Sequence, residues 1–230
     1  MKLAIVILNW NGKALLEKFL PSIIEYSSGY EIYVVDNAST DTSIQFLESK
    51  YPLINCIKLS KNLGYANGYN ESLKQINADV YCLLNSDIEV TKNWLTAVVD
   101  IFLNEANTHI VQPKILDYNK KNYFEYAGAG GGYIDKLGYP YCRGRIFDSI
   151  EEDKGQYDDQ IEIFWASGAC LFIRASSFKA LGGFDNTFFA HMEEVDLCWR
   201  AKNKGFNIVY TGASTVYHVG GASLHSSNPK

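Results

Sequence analysis

The sequence predicts an α/β fold, with an open, mostly parallel mixed sheet flanked by helices on both faces. Three observations predict it. Short, continuously apolar runs recur, as strands buried on both faces require. Between them lie segments whose apolar residues repeat at helical spacing. Polar clusters then follow the runs: Asn9-Trp10-Asn11, Asp36-Asn37-Ala38-Ser39, Asn62 and Asn85-Ser86-Asp87. Ligands on such sheets bind at the carboxyl ends of strands, so these four clusters would share one rim.

The elements follow in order. "LAIVIL" (3–8) is the first strand. Residues 14–26 carry Leu15, Leu16, Phe19, Leu20, Ile23 and Ile24 as a helical stripe. Pro21 falls inside that stripe and is expected to kink or divide the helix. "EIYVVD" (31–36) is the second strand, and Thr42 with Gln45 forms a capping-box pattern before a short helix. "NCIKLS" (55–60) is the third strand. "GYANGYNESLKQI" (64–76) opens with glycines and turns helical, and "DVYCLLN" (79–85) is the fourth strand. Thr91 is expected to cap a helix bearing Trp94, Leu95, Val98, Val99 and Phe102.

The second half changes character. Residues 122–145 are rich in Gly and Tyr, and 148–160 hold six acids against one lysine, read as a solvated loop. "IEIFWASGACLFIR" (161–174) reads as two strands around a Gly168 turn, "MEEVDLCWRAKNKG" as a helix stopped by Gly205, and "NIVYT" and "STVYHV" as separate short strands. No repeat or linker divides the chain. One integrated domain over 1–230 is expected, with 1–100 holding a nucleotide and 101–230 completing the cleft.

Composition narrows the class. The 230 residues are 47% hydrophobic and 20% charged, enough for a full core. A net charge of −5 argues against a general nucleic-acid binder. The five cysteines are scattered, form no CxxC pair, and read as small buried hydrophobes. "MKLAIVILNWNG" is not read as a signal peptide. No apolar stretch approaches the ~20 residues of a membrane helix, so a cytoplasmic protein is expected. The dinucleotide GxGxxG, the P-loop and the GxSxG elbow are absent.

The chemistry present suits a diphosphate held through a metal. Hard cations take oxygen ligands, often one or two carboxylates completed by phosphates and water. Asp87 ends a buried strand, and Asn85, two residues earlier, shares its face; turn chemistry explains the same pattern. Asp36 could accept bonds from a ribose or a base imide, or cap a helix. Glu193, Glu194 and Asp196 open a helix, where the dipole favours ionised carboxylates, as a general base needs. An Asp196–Arg200 pair at i,i+4 is the structural alternative. His218 could complete a metal shell, with Gly220-Gly221 allowing close approach, or be structural.

Eight segments in one order carry a resemblance: "VILNWNG", "VVDNASTD", "NLGYANGYN", "LLNSDIEV", "GQYD", "SGACLFIR", "LGGFDNTFFAHMEEVDLCWRA" and "VYHVGG". From Leu3 to about Ser223 the chain resembles the inverting GT-A glycosyltransferases of family 2, in the rhamnosyltransferase-like and galactofuranosyltransferase-like branch. The resemblance implies the GT-A sheet and transfer of a sugar from a UDP- or dTDP-sugar to a hydroxyl of a glycan or lipid-linked glycan in bacterial surface polysaccharide assembly. It implies Mn2+ or Mg2+ as cofactor and no nucleic-acid partner. It also implies peripheral attachment at the inner membrane face through a region beyond this chain.

By position, Leu8, Asn9, Trp10 and Asn11 match the nucleobase wall, and Asp36 with Asn37 the base or ribose contact. Asn62 and Gly64 through Asn70, including Asn67, match the donor-binding turn. Asn85, Ser86 and Asp87 occupy the Asp-x-Asp position, with an amide in place of the first acid. Asp87 and His218 match the metal ligands, Glu194 the catalytic base (usually Asp) and Glu193 a neighbouring acid for acceptor hydroxyls. Two rivals remain open. A sugar-nucleotide pyrophosphorylase should carry a glycine-rich basic loop after the first strand, which Asn9-Trp10-Asn11-Gly12 lacks. A non-catalytic sugar-nucleotide or glycan binder should lack the base.

Overall fold

The computed structural model describes residues 1–189 and 191–220. Its first half alternates β1 (Leu3–Asn9), α1 (Lys13–Tyr26), β2 (Glu31–Asp36), α2 (Ser43–Lys50), β3 (Asn55–Lys58), α3 (Gly64–Leu73), β4 (Val80–Asn85), β5 (Ile88–Val90) and α4 (Thr96–Asn104). Next come β6 (Thr108–Asp117) and the short strands β7 (Gly132–Ile134), β8 (Pro140–Cys142), β9 (Arg145–Ile146), β10 (Ser149–Ile150) and β11 (Gln160–Glu162). The chain continues through β12 (Cys170–Arg174), α5 (Ala175–Ala180), α6 (Glu193–Asn203) and β13 (Asn207–His218). The main sheet runs β3-β2-β1-β4-β12-β6-β13-β11, and β5 also pairs with β13. β1, β2, β3 and β4 are mutually parallel, as are β6 and β13; β12 runs antiparallel between β4 and β6. The mostly parallel mixed sheet expected from the sequence is therefore present.

Alternation within the central strands builds two cores. Ile5 and Ile7 of β1 and Cys82 and Leu84 of β4 pack with Leu16, Leu20, Trp94, Val98 and Phe102 on one face. Ala4, Val6, Tyr81 and Leu83 pack with Tyr69, Leu73, Phe178, Leu197 and Cys198 on the other. Four cysteines are buried, Cys56 is half-buried, and all five are free thiols.

Several local expectations are corrected. Pro21 does not divide α1, which runs unbroken past it. Buried Phe19, Leu20 and Ile23 flank it and secure the helix by packing. Thr42 sits at the N-cap of α2 without a side-chain cap bond; Asp41 instead accepts from Ser43 N–H at 3.0 Å. Thr91 does not cap α4, which begins five residues later; its hydroxyl donates to the Thr215 carbonyl at 2.7 Å. β6 breaks the apolar-run rule with Pro113 and Lys114 at its centre. Pro113 falls where the β6–β13 register shifts, a tolerated place for proline. The acidic 148–160 segment is mostly exposed, as expected, but two of its acids also reach inward: Lys114 is buried against Asp153 at 2.9 Å and against Asp158. "NIVYT" and "STVYHV" form one strand, β13, bent at that shift.

Candidate active site

The parallel register brings the predicted polar clusters to one rim. Asn9 on β1 lies opposite Asp36 on β2, and Leu8 opposite Asn85 on β4. The Asn9 amide donates to Asp36 Oδ1 (3.3 Å) and Ser39 Oγ (3.2 Å), and Ser39 N–H donates to Asp36 Oδ2 (3.0 Å). Asn11 Oδ1 accepts from Thr40 N–H at 2.7 Å. Asn37 donates to Asn62 Oδ1 (2.9 Å) and the Gly64 carbonyl (3.0 Å) and accepts from Leu63 N–H (2.9 Å). Trp10, between Asn9 and Asn11 in the chain, is 51% exposed. Ser86 Oγ faces Gly12, where an added Cβ would stand 3.6 Å away.

Asn67 and Asn70 reach the other way. Asn70 donates to the Phe184 carbonyl (2.8 Å) and Asn186 Oδ1 (2.8 Å) and accepts from Phe184 N–H (2.9 Å). Asn67 donates to the Asn186 carbonyl at 3.3 Å. Tyr65 N–H donates to the Phe189 carbonyl at 2.9 Å. Gly64 adopts φ +72, and a Cβ there would come within 2.5 Å of the Phe189 carbonyl, so glycine alone fits. α3 is thus stitched to the segment that leads into α6.

At the other end, three charged or titratable side chains from separate segments converge. Asp87 precedes β5, His218 ends β13, and Glu125 lies in the loop after β6; all are nearly inaccessible to solvent. His218 Nε2 is 3.2 Å from Asp87 Oδ1, and Nδ1 is 3.3 Å from Glu125 Oε1. Neither contact has hydrogen-bond alignment, so both ring nitrogens lack a bonded partner. Burial opposes a charged imidazole, but the two carboxylates outweigh it and push the His218 pKa up to about 10. A ring between two carboxylates needs positive charge beside it, whether a proton or a metal cation. Among the described residues no three or more His, Cys, Asp or Glu groups form a metal cluster. A cation here would take the rest of its shell from phosphates and water. Asp87 and His218 fit that incomplete site. Glu125 was absent from the sequence reading, because Gly/Tyr-rich surroundings gave it no motif. Gly221 lies outside the described residues.

The predicted catalytic acids stand at the start of α6. Glu193 and Glu194 each have a buried Oε2 without a partner. Burial, then the neighbouring Glu194, pushes the Glu193 pKa up to about 7. Burial also raises Glu194, against backbone N–H groups of Glu194, Val195 and Gly168 and the nearby His191. The helix N-terminus was expected to favour ionised carboxylates, but here desolvation wins. Tyr65, on α3, donates to the Gly168 carbonyl at 2.6 Å. Its pKa is raised by burial, then Tyr69, then Glu193 and Glu194, so it remains a phenol donor. Asp196 accepts from Arg200 Nε (2.9 Å) and Nη2 (2.7 Å), the structural alternative raised by its spacing. His191 and Met192 both take φ +70, left-handed for non-glycine residues and a local strain directly before Glu193.

Similarity to known proteins identifies the family. A family model described as "Glycosyl transferase family 2" matches residues 4–182. The chain belongs to glycosyl transferase family 2, a family of transferases. It is 25% identical to the N-acetylglucosaminyl-diphospho-decaprenol L-rhamnosyltransferase of Mycobacterium tuberculosis, covering 94% of this chain and 75% of that protein. It is 28% identical to the low-salt glycan biosynthesis hexosyltransferase Agl10 of Haloferax volcanii, covering 90% and 63%. Among solved structures, GalNAc-T7 with UDP, GalNAc and Mn2+ superimposes with a TM-score of 0.73 at 15% identity, covering 95% of this chain and 44% of that one. The Pyrobaculum calidifontis mannosyltransferase PcManGT with GDP-Man and Mn2+ gives 0.67 at 14% identity, covering 95% and 56%. These structural likenesses establish the GT-A fold. The chain spans about half the length of these two structures.

Proposed function

We propose that the chain transfers a sugar, with inversion, from a UDP- or dTDP-sugar to a hydroxyl of a glycan or lipid-linked glycan in surface polysaccharide assembly. The observation that supports the reading is that one sugar-transferase fold holds both a buried Asp87–His218 pair and, at the start of α6, two buried carboxylate oxygens without partners, on Glu193 and Glu194. The mycobacterial relative, whose name specifies a lipid diphosphate acceptor, supports the lipid-linked class. Residues 1–100 supply the donor side, and 101–230 the base and acceptor side. No described helix is long and apolar enough to cross a membrane. Our reading has the protein work in the cytoplasm, peripherally at the inner membrane face.

Exposed Trp10 and Leu8 flank the base, while Asn9, Asn11, Asn37 and Asn62 hold the surrounding loops. Each Asp36 oxygen accepts one bond from the protein and keeps lone-pair capacity for a second, from base imide or ribose. Asn85 and Ser86 contact ribose or phosphate. Asp87 and His218 would hold Mn2+ or Mg2+, which neutralises charge on the departing diphosphate when bound. Glu194 Oε2 takes the proton from the acceptor hydroxyl. The freed oxygen bonds to the anomeric carbon from the face opposite the diphosphate, which leaves with the electron pair of the broken bond. Glu193 holds the acceptor, and the Asp196–Arg200 pair, Asn67 and Asn70 keep α6 and α3 in place.

The test is incubation with UDP-, dTDP- and GDP-sugars, with and without Mn2+, scoring released nucleoside diphosphate and the product's anomeric configuration. Retention of configuration, or release of a nucleoside triphosphate from added pyrophosphate, would overturn the reading.

A further inference from the structure

His218 can ligate a cation only through a nitrogen lone pair. Nε2 is the nitrogen that faces Asp87, and a neutral imidazole has its lone pair there only if the proton is on Nδ1. The group beside Nδ1 is therefore decisive, and it is Glu125 Oε1 at 3.3 Å. Glu125 is itself fixed. It is 5% exposed, its Oε2 accepts from Ala127 N–H at 2.6 Å, and its own N–H donates to the Ile115 carbonyl at 3.1 Å. Ile115 belongs to β6, which runs beside the end of β13, with Ile115 opposite Val216 and Asp117 opposite His218. The imidazole thus ends β13, and the loop that carries the carboxylate is tied to β6, the strand paired with it.

We propose that Glu125 is a positioning residue for the cation site, holding His218 as the Nδ1–H tautomer so that Nε2 is presented beside Asp87. This rests on the reading of Asp87 and His218 as the ligands. Glu125 Oε2 already accepts from the Ala127 N–H, and Oε1 is the oxygen 3.3 Å from Nδ1, near enough to accept from an Nδ1–H once a bound cation orients the ring. A carboxylate satisfies both. Glutamine has a single acceptor oxygen. Keeping the Ala127 bond turns its NH2 toward Nδ1, which favours the Nε2–H tautomer and removes the lone pair that faces Asp87. A glutamine of the same size therefore separates this role from packing. Outer carboxylates of this kind commonly contribute ~10–100-fold in metal affinity.

The test is Mn2+ titration by calorimetry in the presence of UDP for the parent, Glu125→Gln and Glu125→Ala. UDP binding without metal and the melting temperature without metal serve as controls. The expected result is ~10–100-fold weaker Mn2+ binding in Glu125→Gln, with metal-free UDP affinity unchanged and folding retained. Glu125→Ala is expected to weaken Mn2+ binding at least as far. Mn2+ affinity in Glu125→Gln within twofold of the parent, whatever Glu125→Ala does, would overturn the proposal and leave the ligand assignment intact. Failure of the parent to bind Mn2+ with UDP present would overturn both.

Discussion

The two ends of the rim use the same kinds of side chain in opposite ways. Around the carboxyl ends of β1 and β2, Asn11, Asp36, Asn37 and Asn62 are bonded to neighbouring side chains or to backbone, while Asn9 Oδ1 lacks a partner. Around the start of α6 and the end of β13, Glu193, Glu194 and His218 all carry buried atoms without one. Buried polar groups are ordinarily satisfied, and each exception costs stability. The saturated end is a shaped scaffold. The unsatisfied end stores the interactions that a substrate or a cation can complete.

The largest expected effect comes from the unsatisfied end. Glu194→Gln should lower transfer by ~10²–10⁴-fold, the usual worth of a general base, while nucleotide-sugar binding by calorimetry persists. Wild-type turnover there would remove the contrast. Asp87→Ala should weaken Mn2+ and donor together, by more than the ~10–100-fold of an outer-shell loss. Unchanged Mn2+-dependent donor binding would contradict the ligand role.

A pH experiment sharpens the stability side. The folded-state pKa of Glu193 is raised to about 7 from an ordinary value of 4.5. Between those values the native state holds the extra proton, so stability falls as pH rises through the window. Glu193→Gln should therefore raise stability at pH 8, by up to about 3 kcal/mol read from denaturant unfolding, and have little effect near pH 4. A loss of stability at pH 8 would show that Glu193 is structurally satisfied after all. The smallest effect lies at Asn70, whose amide is already fully engaged with Phe184 and Asn186. Asn70→Ala removes three hydrogen bonds of ~1 kcal/mol each and should lower the melting temperature by several degrees. Metal-free UDP binding should stay within a few-fold, and a complete loss would make Asn70 a direct donor contact.

How much was legible follows the same division. β1, β2 and β4 announced themselves because strands buried on both faces are unbroken apolar runs, and their polar ends named the rim. β6 was hidden because Pro113 and Lys114 interrupt its run, and only the bend in β13 and the acids at 153 and 158 make both tolerable. Glu125 had no readable signal, since its meaning depends on a histidine 93 positions away brought close by strand pairing. Asn67 and Asn70 sit in a glycine-rich stretch that reads as ligand-binding, yet their amides face Phe184 and Asn186. Sequence spacing places a side chain on an element but does not say which neighbour uses it.

The Lys114 ion pairs also bear on engineering. The hairpins formed by β7 to β10 stand outside the main sheet, so they are a natural segment to exchange for a relative's without disturbing the sheet order. A graft that replaces 132–158 would delete Asp153 and Asp158 together and strand an ammonium group inside the protein. Transplants should therefore carry an equivalent acid, or be paired with a neutral residue at 114. They should also begin after Gly131, leaving Glu125 and its turn with the host.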